Sequence, residues 1–308
     1  MAGEAVTRWG LAAALRERSV VLADLLRHPT ACLGGILLAA YVFAAVFAPL
    51  LAPHDPERAD LARRLLPPVW EAGGVRPHLL GTDQLGRDLL SRMIFGARVS
   101  LLVGLITVVI SHLVGVGLGC LAGYYRGPAD AVLSRLADLL LAFPYLIFAI
   151  GAMGMMGPGF WNLVWALAFK GWVEFYRLAR GDTMAEKEKA YIEAAHALGR
   201  RDLAIVAREI LPNILPTTLV LGTLRVGYMI VLEASLSFLG LGIPPRIPAW
   251  GSMVNDGRGV MLTAWWVSTL PGLALVGAVL AMNLLGEGLR EALDPRLRGP
   301  RAAPLPTS

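Results

Sequence analysis

Six apolar runs, each long enough to cross a lipid bilayer, leave this chain few folds to choose from. They fall at about 31–51, 99–123, 133–155, 160–178, 214–241 and 266–286. A hydrocarbon core takes roughly 20 apolar residues of helix, and within lipid every backbone N–H and C=O must find its partner inside the protein. A helix meets that demand within one segment, so the runs predict an all-α polytopic membrane protein of six transmembrane helices. Composition agrees. Of the 308 residues 56% are hydrophobic and the mean hydropathy is +0.60, beyond the apolar share of ordinary globular chains. The first run begins only near residue 31 and is long enough to span, so no cleavable signal peptide is expected.

The net charge of +5 would hint at nucleic acid in a soluble protein, but here it is spread so as to set orientation. Lys and Arg gather on the cytoplasmic side of membrane proteins. With the N-terminus inside, that side receives Arg8, Arg16, Arg18, Arg27, Arg126, Arg135 and the basic residues between Arg177 and Arg208, then Arg290 to Arg301. The first outer loop breaks the trend with seven arginines, yet long loops translocate with weaker regard for charge. The expected organisation is a cytoplasmic segment at 1–30, a first transmembrane helix at 31–52 and an external loop at 53–98. A five-helix core follows at 99–290, carrying a cytoplasmic loop at 183–212, and a cytoplasmic tail closes the chain at 291–308.

Within this frame several local signals stand out. Thr82 or Asp83 is the expected cap of an amphipathic helix feeding the second span, with Leu85, Leu89 and Met93 on one face. Gly115, Gly119 and Gly123 repeat at four-residue spacing in that span, a pattern that lets helix backbones approach closely. Pro144 is expected to kink the third span. Cys32 and Cys120 lie inside apolar runs, where a thiol behaves as a small hydrophobe. No disulfide is implied, and no catalytic, cofactor-binding or metal-ligating set is expected.

The loop at 183–212 is the one long polar island in the membrane-buried half of the chain. Thr183 followed by Glu186 reads as a capping box that starts a helix. Tyr191, Ala194, Ala195 and Leu198 recur at helical spacing as a narrow stripe of small residues. Gly199 is placed to end that helix in the left-handed conformation. Leu203, Val206, Ala207 and Ile210 repeat the spacing on a second short helix expected to yield at Pro212. The stripe is mostly alanine, with little of the Leu, Phe and Trp that lipid insertion favours, so docking against another protein is the better reading.

Ionisable residues inside spans are costly and mark function or pairing. Lys170 and Glu174 are spaced to neutralise each other on one helix face. His112 is expected to hydrogen-bond between helices. Arg225 and Glu233 are eight residues apart and too distant to pair. They are the candidates for the translocation path, with packing against a partner helix as the alternative. A P-loop needs a lysine after glycine, but the only lysines are Lys170, Lys187 and Lys189. The chain has no such ATP site, and is not expected to be an enzyme. Two other classes fit less well. A proton-coupled secondary transporter using Glu233 or His112 would leave the hairpin unexplained and lacks the inverted repeats of such proteins. An intramembrane hydrolase built on Ser235 or Ser237 lacks the nucleophile elbow.

Glu193-Ala194-Ala195, Gly199 and Ile210-Leu211-Pro212 together resemble the EAA loop of binding-protein-dependent ABC importer permeases. The resemblance continues through HLLGTDQLGRDLLSRMIFGARVSL, the YYRG at 124–127, GWVEFYRLARG at 171–181 and EASLSFLGLGIPP at 233–245. These stretches are similar to the second permease subunit of the dipeptide/oligopeptide/nickel importers, over residues 30–298. Leu79, where the family more often has proline, and the Lys170–Glu174 pair depart from its pattern.

The resemblance implies a type I importer permease fold in the bacterial or archaeal cytoplasmic (inner) membrane. It implies a second homologous permease subunit, two cytoplasmic ATPase subunits that bind the ATP and Mg, and an external solute-binding protein. It also implies that Tyr191, Glu193, Ala194, Ala195, Leu198 and Gly199 form the coupling helix that meets an ATPase. Peptides are the cargo most members of the subgroup carry, with nickel or another small solute as the alternative.

Overall fold

The computed structural model describes residues 28–293. The expected lead-in before residue 28 and the end of the tail lie outside the described residues. Helix α1 (Pro29–Val46) opens with proline in its first turn, where the missing N–H would have been unpaired anyway. A short α2 (Ala48–Leu51) follows. The chain then runs through a structured polar segment to α3 (Leu89–Tyr125), α4 (Gly127–Ala142), α5 (Tyr145–Met156) and α6 (Phe160–Lys187). Two short helices, α7 (Ala190–Ala197) and α8 (Asp202–Ile205), precede α9 (Leu211–Phe238), α10 (Trp250–Arg258) and α11 (Trp266–Leu293).

The centre of the bundle is the pairing of α3 with α6. Its cause is the glycine repeat. A Cβ on Gly119 would lie 2.6 Å from the Tyr176 carbonyl oxygen and one on Gly123 2.7 Å from that of Arg180, while Gly115 faces the carbonyl of Trp172. Only hydrogen in these positions lets the two backbones meet, as the four-residue spacing predicts. Helix α9 packs on α3 and α11, and α1 packs against α11 and, less extensively, α3.

Helix α3 is one unbroken element of 37 residues, about 55 Å long. Its cap is Asp88, whose side chain accepts from the Ser91 N–H at 2.8 Å. Thr82 and Asp83, the expected caps, are engaged one turn earlier. Thr82 Oγ1 donates to the Arg63 carbonyl at 2.5 Å, and Asp83 Oδ1 accepts from the N–H groups of Leu85 and Arg87 at 2.9 Å each. Asp83 Oδ2 also takes Arg87 Nε at 2.6 Å, and Arg87 reaches Asp256 on α10 at 3.6 Å. Leu85 therefore precedes the helix and does not share its face. The motif folds as a clasp holding the long loop to α10.

Pro144 does more than kink the third span. Phe143 before it is extended, as proline's ring demands, and α4 and α5 meet at 93°. The fourth expected span differs from the others in composition. Four of the described helices are long and apolar enough to cross a membrane, or five if the bent pair counts as one span. Helix α6 is not among them, because Lys170, Glu174 and Arg177 interrupt its apolar run. Its place in the middle of the bundle explains the tolerance: Leu163, Val164, Leu167, Val173 and Phe175 are wholly buried against other helices, so lipid does not select its composition.

The second hairpin helix does not yield at Pro212. The chain passes from α8 through one π turn, Val206–Ile210, straight into α9. Proline at 212 has no N–H for the carbonyl four residues earlier, and the wider turn absorbs that lost bond.

Candidate functional site

The hairpin joining α6 to α9 has the clearest built geometry of any polar part of the bundle. Helix α6 runs on to Lys187, so Thr183 and Glu186 are not a capping box. Thr183 is fully buried, packed against Gly123, and a residue inside a continuing helix has no free N–H groups to cap. Glu186 instead closes the corner. It accepts the Tyr191 hydroxyl and lies 2.6 Å from Lys189 Nζ. Burial pushes the Tyr191 hydroxyl up to about 12, helped by the Glu186 carboxylate, so it stays protonated and keeps donating.

Gly199 behaves as its sequence position predicts. Its φ is +74°, the Gly199 N–H donates to the His196 carbonyl at 2.9 Å and the Arg200 N–H to that of Ala195 at 3.2 Å. These are the paired bonds of a Schellman C-cap. The stripe itself divides. Ile192 and Ala195 face inward, 1% and 8% exposed, whereas Tyr191 is 38% and Leu198 84% exposed. Glu193 and Ala194 are exposed as well. Ala195 therefore belongs to the chain's own core and not to an outward face. The spacing placed it on a stripe with Tyr191 and Leu198, but a helix this short shows its inner side through its largest apolar residue, which is Ile192.

Three residues that sequence reasoning passed over hold the hairpin in place. The Tyr124 hydroxyl, at the end of α3, donates to Asp202 Oδ1 at 3.0 Å and stands 3.0 Å from His196 Nε2. Lys187 Nζ donates to the Tyr124 carbonyl at 2.7 Å and sits 4.7 Å over its ring. Asn213 on α9 donates to the Tyr191 hydroxyl at 3.1 Å. The hairpin is thus tied to the ends of α3, α6 and α9. Nearby, Arg180 on α6 grips Asp130 on α4 through two nitrogens at 2.5 and 2.7 Å, which fixes α4 to the same platform. The YYRG and GWVEFYRLARG stretches carried what sequence signal there was for these contacts.

The charges inside the spans are arranged differently from their spacing. Lys170 does not pair with Glu174. Its ammonium donates to the Phe143 carbonyl, which the break at Pro144 leaves without a helical partner, and lies 5.3 Å over the Tyr145 ring. Glu174 pairs across helices with Arg225, whose guanidinium stacks 5.2 Å over Tyr228. The two side chains of that pair are 28% and 31% exposed. His112 bonds Thr218 between α3 and α9 at 3.1 Å, the interhelical role its position predicts. Glu233 is fully enclosed and accepts from Ser237 at 2.7 Å. The structure therefore separates Arg225 from Glu233: one is on a half-open face, the other in the core.

Such a bundle, with close glycine packing at its centre and one braced polar hairpin, is that of an α-helical membrane protein. The chain belongs to the binding-protein-dependent transport system inner membrane component family, whose model matches residues 115–299. Residues 19–68 match the N-terminal TM domain of oligopeptide transport permease C. Similar proteins include a di/tripeptide transport system permease protein of Pseudomonas aeruginosa, 44% identical over 88% of this chain and 90% of the relative. A glutathione transport system permease protein of Pectobacterium atrosepticum is 42% identical over 89% of each. In fold, the chain resembles the MetNI methionine ABC transporter in its inward-facing conformations, with a TM-score of 0.55 and 17% identity over 67% of this chain and 97% of that one. The chain has an ABC importer type I permease fold.

Proposed function

We propose that this chain is the transmembrane permease subunit of an ATP-driven importer of di- or oligopeptides. The cargo rests on the relatives, whose names specify di/tripeptides, dipeptides and glutathione. The observation that carries the mechanism is the bracing of α7 by Tyr124, Glu186 and Asn213. A helix tied to three others cannot move alone, so a push on its exposed face displaces the ends of α3, α6 and α9 together.

In this reading the hairpin lies in the cytoplasm, with both chain termini on the same side. Tyr191, Glu193, Ala194 and Leu198 form its docking face, and Gly199 sets its turn. Two ATPase subunits supply ATP, Mg and hydrolysis. A second, homologous permease completes the pore and an external binding protein delivers peptide to the loop at 53–98 and the segment around α10. The half-exposed Arg225–Glu174 pair with Tyr228 lies on the face toward the pore, where it meets charged peptide termini. Glu233 supports the core behind it.

Uptake of labelled dipeptide by proteoliposomes holding the full complex tests the function. ATP-dependent, binding-protein-dependent accumulation is expected. Accumulation driven by a proton gradient without ATP would refute it.

A further inference from the structure

His54, His78 and Asp88 come from three separate places, the turn after α2, the middle of the long loop and the cap of α3, and converge on one point. One donor atom of each lies within 4.8 Å of the others. Asp88 Oδ2 is occupied by the N–H and hydroxyl of Ser91, at 2.8 and 2.7 Å. Asp88 Oδ1 faces both imidazoles, with His78 Nδ1 at 2.9 Å and His54 Nδ1 at 3.7 Å. The two rings lie 4.7 Å apart and 31° from parallel. His78 and Asp88 are 5% and 2% exposed.

A structural hydrogen bond from His78 to Asp88 accounts for the Nδ1 of one imidazole, whose Nε2 is buried without a partner among the described residues, and leaves the second imidazole unexplained. At 3.7 Å His54 Nδ1 is beyond hydrogen-bond reach of the carboxylate. That nitrogen is shut away from solvent with no hydrogen-bond partner among the described residues, an arrangement that costs free energy in a purely structural cluster. Donors around a tetrahedral ion with bonds of about 2.0–2.1 Å stand about 3.3 Å apart. The two separations to Asp88, 2.9 and 3.7 Å, bracket that figure, and the two imidazole donors lie within 4.8 Å of each other. Ser91 holds the carboxylate as an outer-shell partner does.

We propose that His54, His78 and Asp88 bind one divalent transition-metal ion of the zinc class. Two imidazoles and a carboxylate suit such an ion better than Mg2+ or Ca2+, which prefer oxygen. The three residues also line a cavity of about 170 Å3 that contains Asp55 and Asp60, leaving room for a water as fourth ligand. Arg58 and Arg63 share its wall, and Arg63 is held 3.4 Å from Asp60. The metal pins the loop at 53–88 to the start of α3, and does not depend on which side of the membrane that loop occupies. Cysteine-based reasoning overlooks the site because its ligands are 24 and 10 residues apart and follow no local spacing.

The test uses full-length protein purified in detergent with a tag free of histidine, stripped with chelator, then dialysed against zinc chloride and metal-free buffer. Elemental analysis is expected to find about one zinc per chain, reduced at least tenfold in His54→Gln, since losing even an outer-shell partner costs about 10- to 100-fold. Zinc should raise the melting temperature of the wild-type chain only, the two proteins melting together without metal. Cobalt substitution of the wild-type chain, which needs no variant, should give the intense visible bands of a tetrahedral site. Less than about a tenth of an equivalent of zinc, zinc undiminished in a folded His54→Gln, or no cobalt bands would each overturn the proposal.

Discussion

The hydroxyl of Tyr124 lies 3.0 Å from both Asp202 Oδ1 and His196 Nε2, so one side chain at the end of α3 holds both arms of the hairpin. Bonds to charged partners contribute roughly 1.5–3 kcal/mol when well shielded, and these are partly exposed. Tyr124→Phe removes both while keeping the ring. We expect normal membrane insertion and assembly, with peptide uptake reduced several-fold per ATP hydrolysed. Uptake and hydrolysis measured together in proteoliposomes check this; an unchanged ratio would show that the strut does not transmit motion.

Gly119 and Gly117 make a matched pair. A Cβ at Gly119 would collide with the Tyr176 carbonyl at 2.6 Å, whereas one at Gly117 meets nothing within 4 Å. Gly119→Leu should separate α3 from α6, a cost of at least 1–3 kcal/mol by the usual range for overpacking. Gly117→Leu should be silent. Thermal unfolding in detergent distinguishes them, and equal melting temperatures would contradict the packing described.

The Glu174–Arg225 pair links α6 to α9. Reversing either charge should lower uptake, because the remaining partner then faces a like charge in a low-dielectric region. The double reversal, Glu174→Arg with Arg225→Glu, should recover much of the loss if the pair is what matters. Failure of the double variant to exceed both single variants would assign the residues separate roles.

How much of this was legible in the sequence depended on the range of the contact. Gly199 and Pro144 act through their own backbone, so their positions sufficed to place a turn and a break. The glycine repeat of α3 was equally readable, since close approach needs no knowledge of the partner. Lys170 and Thr183 misled for the opposite reason. Each has a permitted local partner, Glu174 or Glu186, but the Phe143 carbonyl and the glycine-lined surface of α3 made stronger claims from elsewhere in the chain. Ala195 shows a limit of periodicity: spacing fixes which residues share a face, and only packing decides which face turns inward. Tyr124 and His78 lie in stretches whose resemblance was legible, but nothing local pointed to their partners, and His54 had no local signal at all.

Glu186 gives the hairpin a pH signature. Burial alone would raise its carboxyl, but hydrogen bonds from Lys189 and Tyr191 outweigh burial and hold it below the usual value of 4.5. A carboxylate lowered in the folded state stabilises it above the unfolded value, and that contribution disappears as pH falls through the folded one. The melting temperature of the wild-type chain should therefore exceed that of Glu186→Gln at neutral pH, the gap closing as pH drops below about 4.5. A gap that widens on acidification would contradict this.

In the proposed function the exposed side of α7 docks an ATPase. Leu198, 84% exposed at the tip of the helix, and the exposed Ala194 are the residues that face outward, whereas Ala195→Trp should damage the chain's own core. Leu198→Glu places a charge, and Ala194→Trp a large ring, where close contact is required. Overpacking of roughly 1–3 kcal/mol corresponds to about a five- to hundredfold loss of affinity. The most direct measurement is the amount of ATPase that co-purifies with each variant from membranes where the paired permease is also present. Both variants are expected to insert and keep the paired permease while losing the ATPase subunits. Wild-type ATPase stoichiometry in both variants, with hydrolysis still stimulated by loaded binding protein, would contradict the assignment of this face.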